Sequence, residues 1–313
     1  MLTLDNHPTG RHFLQIPGPS PVPDRILRAM SLPTIDHRGP EFGQLGLKVL
    51  AGIQQVFKTR HPVVIYPASG TGAWEAALIN TLSPGDHVLM FETGHFASLW
   101  QKMATRLGLS TEFLSYGGSD EHLPQAPGWR HGVQAGLIEA RLRKDTERRI
   151  RAVCVVHNET STGVTSDIAA VRRAIDAAGH PALLLVDTIS SLGSMDYRHD
   201  EWGVDVTVSG SQKGLMCPPG MAFVWFNDKA RARCLGSNLR TPYWDWTPRA
   251  MSTQYWQHFG GTAPTHHLFG LGEALRPVHF AGGALLMAGL LLNVFGAPLF
   301  APWVARWQRG RSE

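Results

Sequence analysis

Short apolar runs recur along this chain, separated by segments whose apolar residues return every three or four positions. Val63-Val-Ile-Tyr66, His87-Val-Leu-Met-Phe91, Arg151-Ala-Val-Cys-Val-Val156, Ala182-Leu-Leu-Leu-Val186, Val204-Asp-Val-Thr-Val208 and residues 221–226 are short, largely apolar runs, each closed by a polar residue or proline. Runs of this kind read as strands buried on both faces. The intervening pattern predicts helices over Asp24–Met30, Gln44–Phe57, Trp74–Leu82, Ala97–Leu107, Gly136–Arg143 and Asp167–Ala178. Strands alternating with helices predict an α/β fold, a mostly parallel sheet with helices on both faces. Tyr116–Trp129, with its Gly and Pro, reads as an irregular connection.

The pattern changes at both ends. Residues 1–45 are loop-rich and read as an N-terminal arm, 46–275 as the main domain, and 276–313 as an atypical apolar tail. Phe280 to Val304 carries no charge, and Arg306, Arg309 and Arg311 follow it. That length is enough to span a bilayer. Gly282-Gly283, Gly296-Ala-Pro298 and Pro302 interrupt it, so the expectation is a core helix or a scrambled terminus and not a membrane anchor. Met1-Leu-Thr-Leu-Asp-Asn is polar and predicts neither signal nor transit peptide.

Composition narrows the class. Charged residues are 17% and hydrophobic residues 43% of 313, with 33 glycines and 21 prolines, which describes a globular chain with many turns. The net charge of +4 is scattered. Its densest cluster, Arg141 to Arg149, is broken by acids, so no nucleic-acid partner is expected. Cys154, Cys217 and Cys234 have no CxxC spacing and fit reduced thiols in a cytoplasmic protein. The 15 histidines form no HExxH pattern, and no metal site is expected.

Chemistry gathers at the strand ends, where open α/β sheets bind their ligands. Asp187 closes one run, and Lys213, in Ser209-Gly-Ser-Gln-Lys-Gly214, follows the next. A lysine for a Schiff base and a carboxylate for the pyridinium proton are what pyridoxal phosphate requires. Two surface charges are the simpler reading of the pair alone. Ser69-Gly70-Thr71-Gly72 follows a strand and opens a helix, offering free N–H groups and a positive helix end to an anion. An ordinary capped βα turn explains it equally well, and it is neither a Walker loop nor GxGxxG. His157-Asn-Glu-Thr-Ser-Thr-Gly163 follows a further strand. Four polar or Gly-rich segments at one sheet edge favour a cofactor site over coincidence.

Further stretches carry a family resemblance. Pro17-Gly-Pro-Ser20, Ile35-Asp-His-Arg-Gly-Pro-Glu-Phe42, Ala68-Ser-Gly-Thr-Gly-Ala-Trp-Glu75, His157 to Val164, Val186-Asp187, Ser211-Gln-Lys-Gly214 and Gly261-Thr-Ala-Pro-Thr265 resemble the class V, fold-type I pyridoxal-phosphate aminotransferases, in particular their serine–glyoxylate and alanine–glyoxylate branch. The resemblance covers roughly residues 12–275. It implies the large domain of that fold, pyridoxal 5'-phosphate as cofactor, and transfer of an amino group from serine or alanine to glyoxylate. It implies Lys213 as the Schiff-base lysine and proton carrier, and Asp187 as partner of the pyridine nitrogen. Ser69, Gly70, Thr71 and Gln212 match the phosphate cradle, Phe96 the aromatic residue on the ring, and Thr160 the contact to its phenolic side. Thr262 matches a phosphate contact given by a neighbouring subunit, which implies a homodimer. Relatives often carry Trp at the Phe96 position and Tyr at the Phe259 position.

The match fades after Gly272-Glu-Ala-Leu275. Family members continue into a small C-terminal domain with an arginine for the substrate carboxylate, a task lysine cannot copy. The apolar tail does not resemble that domain, so the small domain is expected to be largely missing through truncation or a frame change near Arg276–His279. Three rival expectations follow: a cofactor-binding or dimerising remnant without turnover, a cysteine-desulfurase-like enzyme, and a membrane-anchored aminotransferase. The desulfurase needs a mobile cysteine, and neither Cys217 nor Cys234 sits in a matching loop.

Overall fold

Seven strands form one sheet in the order β1-β7-β6-β5-β4-β2-β3: β1 Val63–Ala68, β2 His87–Phe91, β3 Ser110–Leu114, β4 Ile150–Val156, β5 Leu183–Asp187, β6 Val206–Gly210 and β7 Gly220–Phe226. The computed structural model describes residue 14 and residues 16–114 and 131–276. The irregular stretch Tyr116–Trp129 and the apolar tail from Phe280 lie outside the described residues. So does most of residues 276–313.

The β2-β3, β2-β4, β4-β5 and β5-β6 pairs are parallel, while β7 runs antiparallel to both β1 and β6. The reversal follows from connection length: only residues 211–219 join β6 to β7, too few for a helical crossover. β1, β4, β5 and β6 therefore all finish at one edge, and β7 starts there. The sheet is mostly parallel, as the pattern predicts.

Helices α1 Asp24–Met30, α2 Pro40–Phe57, α3 Gly70–Thr81, α4 His95–Arg106, α5 Ala135–Lys144, α6 Ile168–Ala177, α7 Asp228–Cys234, α8 Thr247–Met251 and α9 Thr265–Ala274 surround it. On one face Tyr66, Met90, Cys154, Leu185, Val208 and Val224 meet Trp74 and Leu78 of α3, Trp100 of α4 and Ala230 of α7. The alternate positions Ile65, Leu89, Val155, Val186 and Phe223 are equally buried, so the opposite face is covered too. Strands buried on both sides explain why their sequences are continuous apolar runs. α3 packs against β6, β7 and β1, the three strands at one end of the sheet. Its buried residues go nearly all round the helix, and this places its N-terminus among the strand ends.

Among the described residues no helix is long and apolar enough to cross a membrane. The described residues up to Glu273 belong to one compact unit.

Candidate active site

The strand ends converge on a cleft lined by Ser69, Gly70, Thr71, Trp74, Phe96, Val156, Asn158, Thr160, Asp187, Ile189, Ser190, Gln212 and Lys213. About 510 Å³ of it is free of atoms, part of that open to solvent, which is within the usual range of small-ligand sites. Eight expected residues meet here: Ser69, Gly70, Thr71, Phe96, Thr160, Asp187, Gln212 and Lys213. Thr262 does not. It is exposed and lines no part of this cleft in its own chain.

Asp187 is the last residue of β5 and is 3% exposed. One carboxylate oxygen accepts the Trp74 indole N–H at 2.9 Å, and the other accepts the Ile189 backbone N–H at 2.6 Å. Burial pushes its pKa up to about 7, with the charge of Glu159 adding to the rise. Those two N–H donors and the Lys213 ammonium pull the other way and lose to desolvation. The result is a carboxyl that titrates near neutrality and welcomes a cationic N–H partner.

Lys213 lies three residues past β6, in a loop pinned on both flanks. Its carbonyl accepts the Met216 N–H at 2.9 Å and the Ser20 hydroxyl at 3.0 Å. Its side chain is half-buried, and burial lowers its pKa while the nearby Asp187 opposes the drop. A lysine of lowered pKa is a better base and nucleophile near neutral pH. Its ammonium donates to the Pro17 carbonyl at 2.7 Å. Among the described residues no carboxylate lies within ion-pair distance of it.

The α3 N-terminus supplies the anion-binding end of the cleft. Ser69 is the N-cap, yet its side chain makes no capping bond, and the first backbone bond of the helix runs from the Ala73 N–H to the Ser69 carbonyl. The leading N–H groups of the helix thus lack helical acceptors. A Cβ on Gly70 would sit 2.4 Å from Ile189 Cδ1, so a larger residue here would displace the Ile189 side chain. Gln212 Oε1 is buried and without a hydrogen-bond partner. Free backbone donors and two hydroxyls suit a phosphate group; Asp187 suits a protonated ring nitrogen; Phe96 and Val156 offer apolar surface. These residues fit pyridoxal phosphate.

Phe96 is set in place by Glu159. This carboxylate, itself fully buried, accepts the N–H groups of Phe96 at 3.3 Å and Ala97 at 3.0 Å, and the Ser161 N–H and hydroxyl at 3.1 and 2.8 Å. It thereby caps α4, whose own N-cap, Gly94, has no side chain to do so. His157 stands behind β5. Its N–H bonds the Asp187 carbonyl at 2.9 Å, its ring bonds the Ser191 hydroxyl at 2.8 Å, and burial lowers its pKa to about 4, so the ring is neutral.

Sequence reasoning assigned no role to Trp74, Asn158, Ile189 or Ser190. Trp74 carried a signal: it follows Gly70 by four positions in a helix, which puts it on the same face. Ser190 had none, because its role depends on facing Asn158 across two strand ends, 3.0 Å from that amide.

The class-V aminotransferase family model matches residues 13–284. An L-aspartate–glyoxylate aminotransferase of Paracoccus denitrificans is 47% identical over 248 residues, which are 79% of this chain and 59% of that protein. A serine–glyoxylate aminotransferase of Methylorubrum extorquens is 44% identical over 272 residues, 85% of this chain and 65% of the relative. The crystal structure of an alanine–glyoxylate aminotransferase from Nostoc sp. matches with a TM-score of 0.75 at 30% identity, covering 88% of this chain and 70% of that one. This chain thus spans less than two thirds of the length of these two curated relatives. With the family model matching most of its sequence, and the strand-end cleft built as described, the chain belongs to the class-V aminotransferases.

Proposed function

We propose that this chain is a pyridoxal-phosphate-dependent transaminase that moves an amino group from serine or alanine to glyoxylate, by two half-reactions at one site. The observation that carries the reading is the placement of Asp187 and Lys213 in one cleft with the uncapped start of α3. Relatives named for different amino donors share glyoxylate in their names, which supports that acceptor.

Bound here, pyridoxal phosphate supplies an electrophilic carbon for the substrate amine and a ring that draws electrons from the breaking Cα–H bond. Asp187 holds the proton of the ring nitrogen. Ser69, Gly70, Thr71 and Gln212 take the phosphate, with Thr262 joining from a second copy of the chain in a homodimer. Phe96 supplies an apolar face and Thr160 a hydroxyl to the phenolic oxygen. Lys213 would form the covalent link to the cofactor and, once displaced by the substrate amine, would carry the proton from the substrate Cα to the cofactor carbon that bears the amino nitrogen, leaving the amino group on the cofactor. Among the described residues that line the cleft there is no arginine, so no residue is assigned to the substrate carboxylate. The same reading makes the protein cytoplasmic, in keeping with three free cysteines.

The desulfurase reading loses support from those thiols. All three are buried, and burial raises each pKa, that of Cys217 to about 12, so none is a ready nucleophile.

Purified chain supplied with the cofactor should show visible absorbance that Lys213→Ala abolishes, and wild-type protein without it would sink the proposal. L-serine or L-alanine should then convert the spectrum in a single turnover, and glyoxylate should restore it with formation of glycine. A spectrum that stays static identifies a cofactor-binding remnant without turnover.

A further inference from the structure

The segment Ile16–Ser20 is fastened to the loop that carries Lys213. The Ser20 N–H bonds the Gln212 carbonyl at 2.9 Å, and the Ser20 hydroxyl reaches the carbonyls of Gln212 at 3.2 Å and Lys213 at 3.0 Å. On the opposite flank a Cβ on Gly214 would lie 2.3 Å from the Leu192 carbonyl oxygen, so this loop has no room to retreat. The Lys213 backbone is therefore fixed from two sides, and its side chain keeps the remaining freedom. That side chain lies along Gly18 and ends on the Pro17 carbonyl at 2.7 Å.

Gly18 is the residue that permits this. Its φ is +122°, a region that side chains rarely adopt. A Cβ there would lie 2.3 Å from Lys213 Nζ and 2.9 Å from both Cδ and Cε. The space that any other residue would fill is the space the lysine occupies.

We propose that Pro17 and Gly18 are positioning residues for Lys213, the Pro17 carbonyl holding the free ammonium at the rim of the cleft and Gly18 leaving the channel in which the side chain lies. The role in transamination rests on the reading of Lys213 given above, while the contact itself does not. A carbonyl acceptor favours the charged amine, so it keeps the lysine protonated and parked until an aldehyde or a substrate proton draws it away. Asp187 is the acidic group that interacts with Lys213 from β5, and among the described residues no histidine lines the cleft.

The test uses the full chain, freed of cofactor with hydroxylamine, and formaldehyde with cyanoborohydride as the amine probe. Methylation of Lys213 is followed by peptide mass spectrometry across pH 6–11, with Lys229 as internal reference. In Gly18→Ala the added methyl group drives Nζ off the carbonyl, while Ser20 keeps the strap in place. The Lys213 labelling midpoint should then fall by about one pH unit, a roughly tenfold faster modification below the midpoint. A midpoint that is unchanged or raised overturns the proposal. Ser20→Ala keeps Gly18 and loosens the strap, and should lower the midpoint by less. If Gly18→Ala does not fold, that second variant decides by the same criterion. Because no cofactor is present, these outcomes are independent of whether the chain proves to be a transaminase.

Discussion

Burying the Asp187 carboxyl carries a cost that depends on pH, and its sign is fixed by the direction of the shift. The group titrates near 3.8 when unfolded and at about 7 when folded. The folded state therefore holds a proton that the unfolded state has lost between those values, and stability falls as pH rises through that window. The difference, about 3 pH units at about 1.4 kcal/mol each, is on the order of 4 kcal/mol. Asp187→Asn cannot titrate. Thermal unfolding of cofactor-free protein should show this variant gaining on wild type from pH 4.5 to pH 8; an equal offset at both pH values would refute the argument. Cofactor affinity should collapse at the same time, since the amide cannot pair with a pyridinium charge. Trp74 tunes the same group. Trp74→Phe removes the 2.9 Å indole donor, and a hydrogen bond to a charged group is worth about 1.5 kcal/mol. The midpoint of the pH-dependent loss should move up by about one pH unit.

At the scale of elements, the site is a set of helix starts aimed at strand ends, and α4 shows how much one side chain can contribute. Glu159 belongs to the segment after β4, yet it closes the N-terminus of α4 and so sets Phe96. Glu159→Ala should cost about 2 kcal/mol in urea unfolding, the upper range for a lost cap, because the freed N–H groups have little water to replace the carboxylate. Glu159→Gln should lose less. This contact shows where reading a sequence stops. The polar cluster at His157–Gly163 was legible as a strand-end segment, while its bond to a helix 62 residues away was not. The same division holds for the fold. Apolar runs such as Leu183–Val186 announce themselves because both faces are covered. β3, Ser-Thr-Glu-Phe-Leu, passed unseen because it pairs only with β2 at the sheet edge and keeps polar positions. β6 starts at Val206 and not at Val204, since Val204 and Asp205 belong to the turn that feeds the strand. α7, α8 and α9 were missed for a related reason: two are short, and His266-His267 hides the apolar stripe of the third. Asp187 and Lys213 were legible because each follows a run that could only be a strand.

On the scale of the whole molecule, Thr262 is the residue that one chain leaves unexplained. The family resemblance gives it a phosphate contact, whereas its own chain places it exposed and apart from the cleft. Phe259 nearby is buried against Phe42, with ring centroids 5.3 Å apart, so the 3-10 turn Tyr255–Phe259 is anchored and Thr262 is held outward on a firm base. We propose that a residue fixed there serves the phosphate of a second copy. Shared sites of this kind are tested by mixing. Lys213→Ala and Thr262→Ala chains each damage the site differently, the first by removing the covalent link and the second by weakening the phosphate cradle. In a mixed dimer, the site built on the Thr262→Ala chain keeps its own Lys213 and receives an intact Thr262 from the other copy. The second site lacks both. Mixed dimers, separated by distinct tags, should therefore bind one cofactor per dimer with wild-type affinity, while Thr262→Ala homodimers bind two weakly, by about tenfold for one lost charge-assisted hydrogen bond. If Thr262 acted within its own chain, the Lys213-bearing site of the mixed dimer would still lack it, and its affinity would match that of the Thr262→Ala homodimer. Titration at the cofactor's visible absorbance, which only the Lys213-bearing site gives, separates the two arrangements.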